Sequence, residues 1–201
     1  MTATAWVPDM TRPFVIGIGP DLGGLAERLG SFSGLPRFDC QIALGAGSAA
    51  ARSRFAYRLD AAVREADRSV LLMGAGVACS AIAWWARLSP RQYTSRIVGA
   101  LFLAPEDGDR AARDAFVSPR EKLGFPSLIV DGLAIDAGHG HAAAFADSWG
   151  SRMLTYVADE APALGASTPW TWLGRTIRDW TGSVVEHDVR LAASLAGRSP
   201  D

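Results

Sequence analysis

Five consecutive small residues, Gly74-Ala75-Gly76-Val77-Ala78, occupy the place in this chain best suited to chemistry. The apolar run Val70-Leu71-Leu72-Met73 leads into them, and the apolar stretch from Val77 to Leu88 follows. A strand that turns sharply into a helix through small residues is the setting that lifts a nucleophilic side chain above the end of a sheet. The middle of that turn is Gly76, which has no side chain to react. Acyl transfer needs a hydroxyl or thiol, a base to take its proton and a carboxylate to orient the base. Ser80 offers a hydroxyl one turn into the following helix, with Asp136 and His139 as carboxylate and base of a relocated triad. The same turn places free backbone N–H groups at a helix N-terminus, where an anion is favoured. It lacks the third glycine of a dinucleotide fingerprint and the Lys-Ser/Thr of a phosphate-binding loop.

Two further groups of residues could act. Gly138-His139-Gly140-His141 sets two imidazoles close to Asp136. A metal site needs three or four ligands and no cysteine lies nearby, so the expectation is no metal and no cofactor. Trp170, Trp172, Arg175 and Trp180 place an aromatic and cationic stripe on part of one helical face. Such a stripe is either core or an interface anchor, since tryptophan and arginine dominate binding hot spots. Trp84, Trp85 and Trp149 read as helix-to-sheet packing.

The elements that must position these residues follow from apolar patterning. Short apolar runs at Pro13–Gly19, Val70–Met73, Ile97–Leu103, Pro126–Val130 and Met153–Val157 predict buried strands. The more alternating run Phe38–Leu44 predicts a strand nearer an edge. Helices are predicted at Leu22–Leu29, Ala49–Ala66, Val77–Leu88 and Ala142–Trp149, and again from Pro169 onward with a break at Gly182. In Ala49–Ala66 the residues Phe55, Leu59, Ala62, Val63 and Ala66 recur at three and four, an amphipathic pattern. Glu106–Glu121 is rich in Asp and Arg and reads as a surface excursion. Strands alternating with helices imply a parallel sheet covered on both faces, an α/β fold. Ligands in such sheets bind at the carboxyl ends of the strands, near a topological switch point. Here that directs attention to Gly19 and Pro20 after the first strand and to Ala75, Gly76 and Val77 after the third.

Composition bounds the rest. A chain of 201 residues suits one domain, 1–201, with 183–201 a C-terminal extension. Hydrophobic residues make up 49% and the formal net charge is -1, which argues against nucleic acid or an anionic membrane as partner. All basic residues but Lys122 are arginines, and they are scattered along the chain. Two cysteines, Cys40 and Cys79, are too few for a disulfide framework. No signal peptide is legible at the start, so the expectation is a cytoplasmic protein. The uncharged segment Ser69–Ala86 reaches only the lower limit of a membrane span, and Gly74 and Gly76 interrupt it.

With these residues on the page, the chain resembles the YdeN-like small serine hydrolases, the retinoblastoma-binding-protein-like family of the α/β-hydrolase superfamily. Their elbow reads roughly Gly-His-Ser-x-Gly, and Gly74-Ala75-Gly76-Val77-Ala78-Cys79 is similar in position and size pattern. Val98–Pro105 resembles the family's strand ending in Ala-Pro, Phe125–Val130 its next strand, and Ser148-Trp149-Gly150 its Ala-Trp-Gly helix end. The similarity covers roughly residues 68–175. It implies a three-layer α/β/α sandwich with about six parallel strands in the order 2-1-3-4-5-6. It also implies a triad aspartate after the fifth strand. Counting places that position at Ile135 or Ala134, one or two residues short of Asp136. The family's histidine follows the sixth strand, where this chain reads Asp159-Glu160-Ala161-Pro162, without a histidine.

Three functions remain open at this point. The chain is a pseudo-hydrolase acting as a binding or scaffold protein, an active hydrolase with a relocated nucleophile such as Ser80, or a small-molecule or anion-binding domain using the former pocket. Gly19, Pro20, Ala75, Gly76, Val77, Asp136 and Pro162 are expected to line the former active-site pocket. Self-association or a protein partner is expected at the C-terminal segment, through Trp170, Trp172, Arg175 and Trp180.

Overall fold

The computed structural model describes residues 13–19, 38–45, 48–103, 105, 115–116, 121–131, 142–155, 179–180 and 182–183. Six strands form one sheet: β1 (Phe14–Ile18), β2 (Cys40–Ile42), β3 (Val70–Ala75), β4 (Ile97–Leu103), β5 (Ser127–Asp131) and β6 (Arg152–Thr155). Among the described residues the helices that accompany them are α1 (Ala49–Glu65), α2 (Val77–Leu88), α3 (Arg91–Thr94) and α4 (Ala142–Trp149). The strand order is β2-β1-β3-β4-β5-β6 and every pairing is parallel. Both the order and the edge position of β2 match the expectation. The uncharged stretch Ser69–Ala86 divides into β3 and most of α2, and among the described residues no helix is long and apolar enough to cross a membrane.

Alternation along the strands loads both faces. Ile16, Leu72, Ala100, Phe102 and Ile129 share one cluster with Phe55 and Leu59 of α1, Ile82 and Trp85 of α2 and Trp149 of α4. On the opposite face Val15, Leu71, Met73, Leu101, Leu128 and Val130 are just as thoroughly buried. A register shift between Val70 and Leu71 marks a bulge opposite β4. It keeps Ile97 in the first cluster while Gly99 pairs with Leu71. Each fully buried large side chain here contributes roughly 1.5–3 kcal/mol, so a sheet loaded on both faces supplies most of the driving force.

Two glycines on the second face make room for rings. A Cβ at Gly17 would meet the Phe38 ring at 2.8 Å, and one at Gly99 would meet the Trp180 ring at 2.8 Å. Trp180, read from sequence as an interface candidate, is therefore half-buried against this chain's own β4. Trp170, Trp172 and Arg175 lie outside the described residues.

Polar side chains hold the amino end of the sheet. Asp39 Oδ2 accepts the Val15 N–H at 2.8 Å, and its Oδ1 meets Arg68 Nη2 at 3.0 Å. Arg68 also reaches Asp67 at 2.6 Å and lies over the Phe14 ring. Its side chain is only 6% exposed, so the carboxylates are what allow its charge to be buried. Arg96, just before β4, donates to the carbonyls of Val63, Arg64 and Ala66 and so closes the C-terminus of α1. Ser48 closes the other end, its Oγ accepting the Ala51 N–H at 3.1 Å.

Two departures from the sequence reading have clear causes. The short helix α3 was not expected, because a single turn after Pro90 carries no apolar period to read. The segment 106–121 is not purely a surface excursion. Ala115 and Phe116 are buried, with the Phe116 ring edge-on to Phe55 at 5.8 Å and to Trp84 at 5.7 Å. Arg52 Nη1 holds the Ala115 carbonyl at 2.8 Å. One aromatic in a polar run is enough to anchor it when α1 and α2 present an aromatic notch.

The Trp180 contact is open to direct test. Trp180→Ala should lower stability by about 2 kcal/mol, less than a fully buried tryptophan because the ring is half-buried. Urea denaturation measures it, and a change within about 0.5 kcal/mol would mean the ring adds nothing to the sheet.

Candidate active site

The turn from β3 into α2 has the geometry that the sequence leads one to expect. Ala75 ends β3, Gly76 stands alone at the turn with φ 57 and ψ -130, and Val77 begins α2. This conformation is strained for any residue with a Cβ and free for glycine. The Gly76 N–H donates to the Leu103 carbonyl of β4 at 3.1 Å, and the Gly76 carbonyl accepts the Cys79 N–H at 3.1 Å. The turn is thus tied to its neighbouring strand and to its own helix. Gly74 permits the helix to fold back, since a Cβ there would meet Ile82 Cδ1 at 2.7 Å and the α2 backbone at 3.3 Å.

The surroundings place this turn at the switch point. β1 lies beside β3 with Ile18 level with Gly74, and the sheet continues from β1 to β2 on one side and from β3 to β4 on the other. Gly19 follows β1 at that edge, buried, with its N–H on the Ile42 carbonyl at 3.3 Å. Ala75, Gly76 and Val77 are half-buried. Val77 opens a helix with no side-chain cap, so its N–H is among those the helix itself does not satisfy. Gly19 and the turn Ala75-Gly76-Val77 thus follow neighbouring strands at the same end of the sheet. Pro20, Asp136, His139, His141 and Pro162 lie outside the described residues.

The groups that could replace the missing hydroxyl are poorly placed. Ser80 is the fourth residue of α2 and 6% exposed. Cys79 is fully buried, and its Sγ–H points to the Gly74 carbonyl at 3.4 Å. Cys40 lies on β2. Burial pushes its thiol up, with Glu65 and Asp39 adding to the effect and Arg58 opposing it. That keeps Cys40 a protonated, weak nucleophile at neutral pH.

One residue at this edge escaped the sequence reading. Asp131 closes β5, half-buried and level with Thr155 of β6. Ala75 pairs with Leu103, and Leu103 with Val130, so Asp131 stands one residue further along and two strands away, roughly 10 Å laterally. It is a carboxylate at the carboxyl end of the sheet, five residues before Asp136. The available signal was a charge ending an otherwise apolar strand.

Comparison with known proteins agrees with this geometry. The sequence profile of a family described as serine hydrolase matches residues 42–161. A protein described as a YdeN-like hydrolase from Pectobacterium atrosepticum superposes with a TM-score of 0.56 at 14% identity, over 86% of this chain and 92% of its own. The pyrethroid hydrolase PytH, solved with a serine replaced by alanine, superposes with a TM-score of 0.56 at 10% identity, over 87% of this chain and 99% of its own. At such identities the likeness of structures establishes the fold alone. No protein of curated function matches the sequence.

The positive φ at position 76 predicts an asymmetric response to substitution. Gly76→Ala should cost about 1–3 kcal/mol in denaturant titration, since alanine must adopt a conformation only glycine holds freely. An unchanged midpoint would show that the turn relaxes to negative φ.

Proposed function

Because the chain belongs to the serine hydrolase family yet carries glycine at the elbow, we propose that it is a catalytically degenerate member that works by binding, as a scaffold or partner protein. The observation that carries the reading is Gly76 itself. The turn keeps the backbone geometry that serves a nucleophile, while the position holds no hydroxyl. Glycine there removes the group that attacks an acyl carbon, and a site of backbone N–H donors alone gives only residual catalysis.

The base supports the same reading. Between His141 and His187 the sequence contains no histidine, so residues 156–186, which follow β6, offer none to activate a nucleophile. The alternative enzyme, with Ser80 as nucleophile, is weakened by the burial of Ser80 inside α2. A nucleophile must meet both substrate and base in space. The C-terminal segment with Trp170, Trp172 and Arg175 remains the proposed contact surface, in self-association or with another protein. Trp180 contributes less to such a surface than its sequence position suggests, since its ring packs on Gly99.

A fluorophosphonate probe offered to the purified chain should leave it unlabelled, and short acyl esters should hydrolyse at the background rate. Gly76→Ser should not raise turnover to an enzymatic level, because a serine without its base stays protonated. Labelling of the unaltered protein that vanishes in Ser80→Ala would overturn the reading and identify a relocated nucleophile.

A further inference from the structure

The outward face of α1 carries positive charge that the helix does not balance. Arg54, Tyr57, Arg58, Ala61 and Arg64 recur at three and four along one stripe, opposite the buried residues Ala51, Phe55, Leu59 and Val63. Arg54, Arg58 and Arg64 are exposed, and Tyr57 is 72% exposed. Against four arginines α1 carries two acids, Asp60, which accepts the Trp85 indole N–H at 2.8 Å and keeps its charge, and Glu65 at the helix end, so the helix is left with a net positive charge.

This arrangement costs the helix stability. Arg54 and Arg58 are like charges four residues apart, and no acid stands in the first turn to meet the helix dipole. The chain as a whole has a formal net charge of -1, so the face is not a local sample of a basic protein. A largely exposed phenol, Tyr57, on the same face as these arginines adds a residue type enriched where binding energy concentrates at interfaces.

We propose that this face of α1 docks an acidic segment of a partner protein. The guanidinium forks of Arg54 and Arg58 pair with its carboxylates, and the Tyr57 ring packs between them. Three arginines span only about 15 Å of helix, too short a track for a phosphate polymer. The stripe offers Tyr57 and Ala61 as its apolar content, too little to enter a membrane interface. The proposal stands independently of whether the elbow catalyses anything, because no residue of the elbow contributes to it.

The test is fluorescence anisotropy of a fluorescein-labelled peptide of Glu-Glu-Leu repeats, titrated with the full chain at low salt. Arg54→Glu with Arg58→Glu should weaken binding by about tenfold or more, and Tyr57→Ala by about fivefold. Arg87→Glu with Arg91→Glu makes the same change of net charge on exposed residues of α2 and α3. That control should stay within about twofold of the unaltered chain. Arg54→Gln with Arg58→Gln repeats the measurement with a milder change should the reversed pair fail to fold. Absence of peptide binding, equal losses in the control pair, or tighter binding of a DNA duplex or of phosphatidylserine vesicles would each overturn the proposal.

Discussion

The reversal of the chain at Gly76 is the constraint on which the rest of the structure depends. β3 runs through the middle of the sheet with both faces buried, so its backbone must stay paired to its last residue. α2 must then begin at once and return over the same sheet. Only a residue free to take positive φ makes that turn in a single step, and only a residue without a side chain at position 74 lets the helix close against the strand. The Gly76 N–H on Leu103 locks the turn to β4. Given that turn, Ile82 and Trp85 reach the core.

The two ends of the sheet divide their tasks. At the amino end, the Asp39–Arg68 pair and the Arg96 contacts fix where β1, β3 and α1 begin and end. These are interactions of definite geometry between groups that are costly to bury alone. At the carboxyl end lie buried Gly19 and Gly74 and half-buried Ala75, Gly76, Val77 and Asp131. The side chains that hold the amino end are not those that stand at the elbow, so the two sets can change separately. That is a physical route by which a serine hydrolase fold can persist with glycine at its elbow.

Membership of the serine hydrolase family and the proposed loss of catalysis are compatible for this reason. The strained turn is a property of the backbone, and replacing serine by glycine relieves its strain rather than adding to it. Stability therefore gives the turn no reason to regain a side chain. What would then maintain the protein is its surface. The charged stripe of α1 is one part of that surface whose residue types suit contacts with other proteins.

Much of this was legible in the amino-acid sequence. The apolar runs located all six strands, the alternation of Phe38–Leu44 marked the edge strand, and the resemblance implied the strand order. Gly76 at the elbow could be read directly, because a missing hydroxyl is a covalent fact. The apolar period also located α1, α2 and α4, since burial on one face imposes a spacing. The structure alone decided matters that depend on which segments meet. Phe116 in a polar run becomes core only because α1 and α2 hold Phe55 and Trp84 side by side. Trp180 rests on Gly99 because that glycine, on the face of Leu101, has no side chain to keep the ring away. The burial of Ser80 and the place of Asp131 at the site edge follow from packing and register. Sequence spacing sets the face a side chain shares with its near neighbours. Contacts between distant segments are decided by how the layers stack, and no local period encodes them.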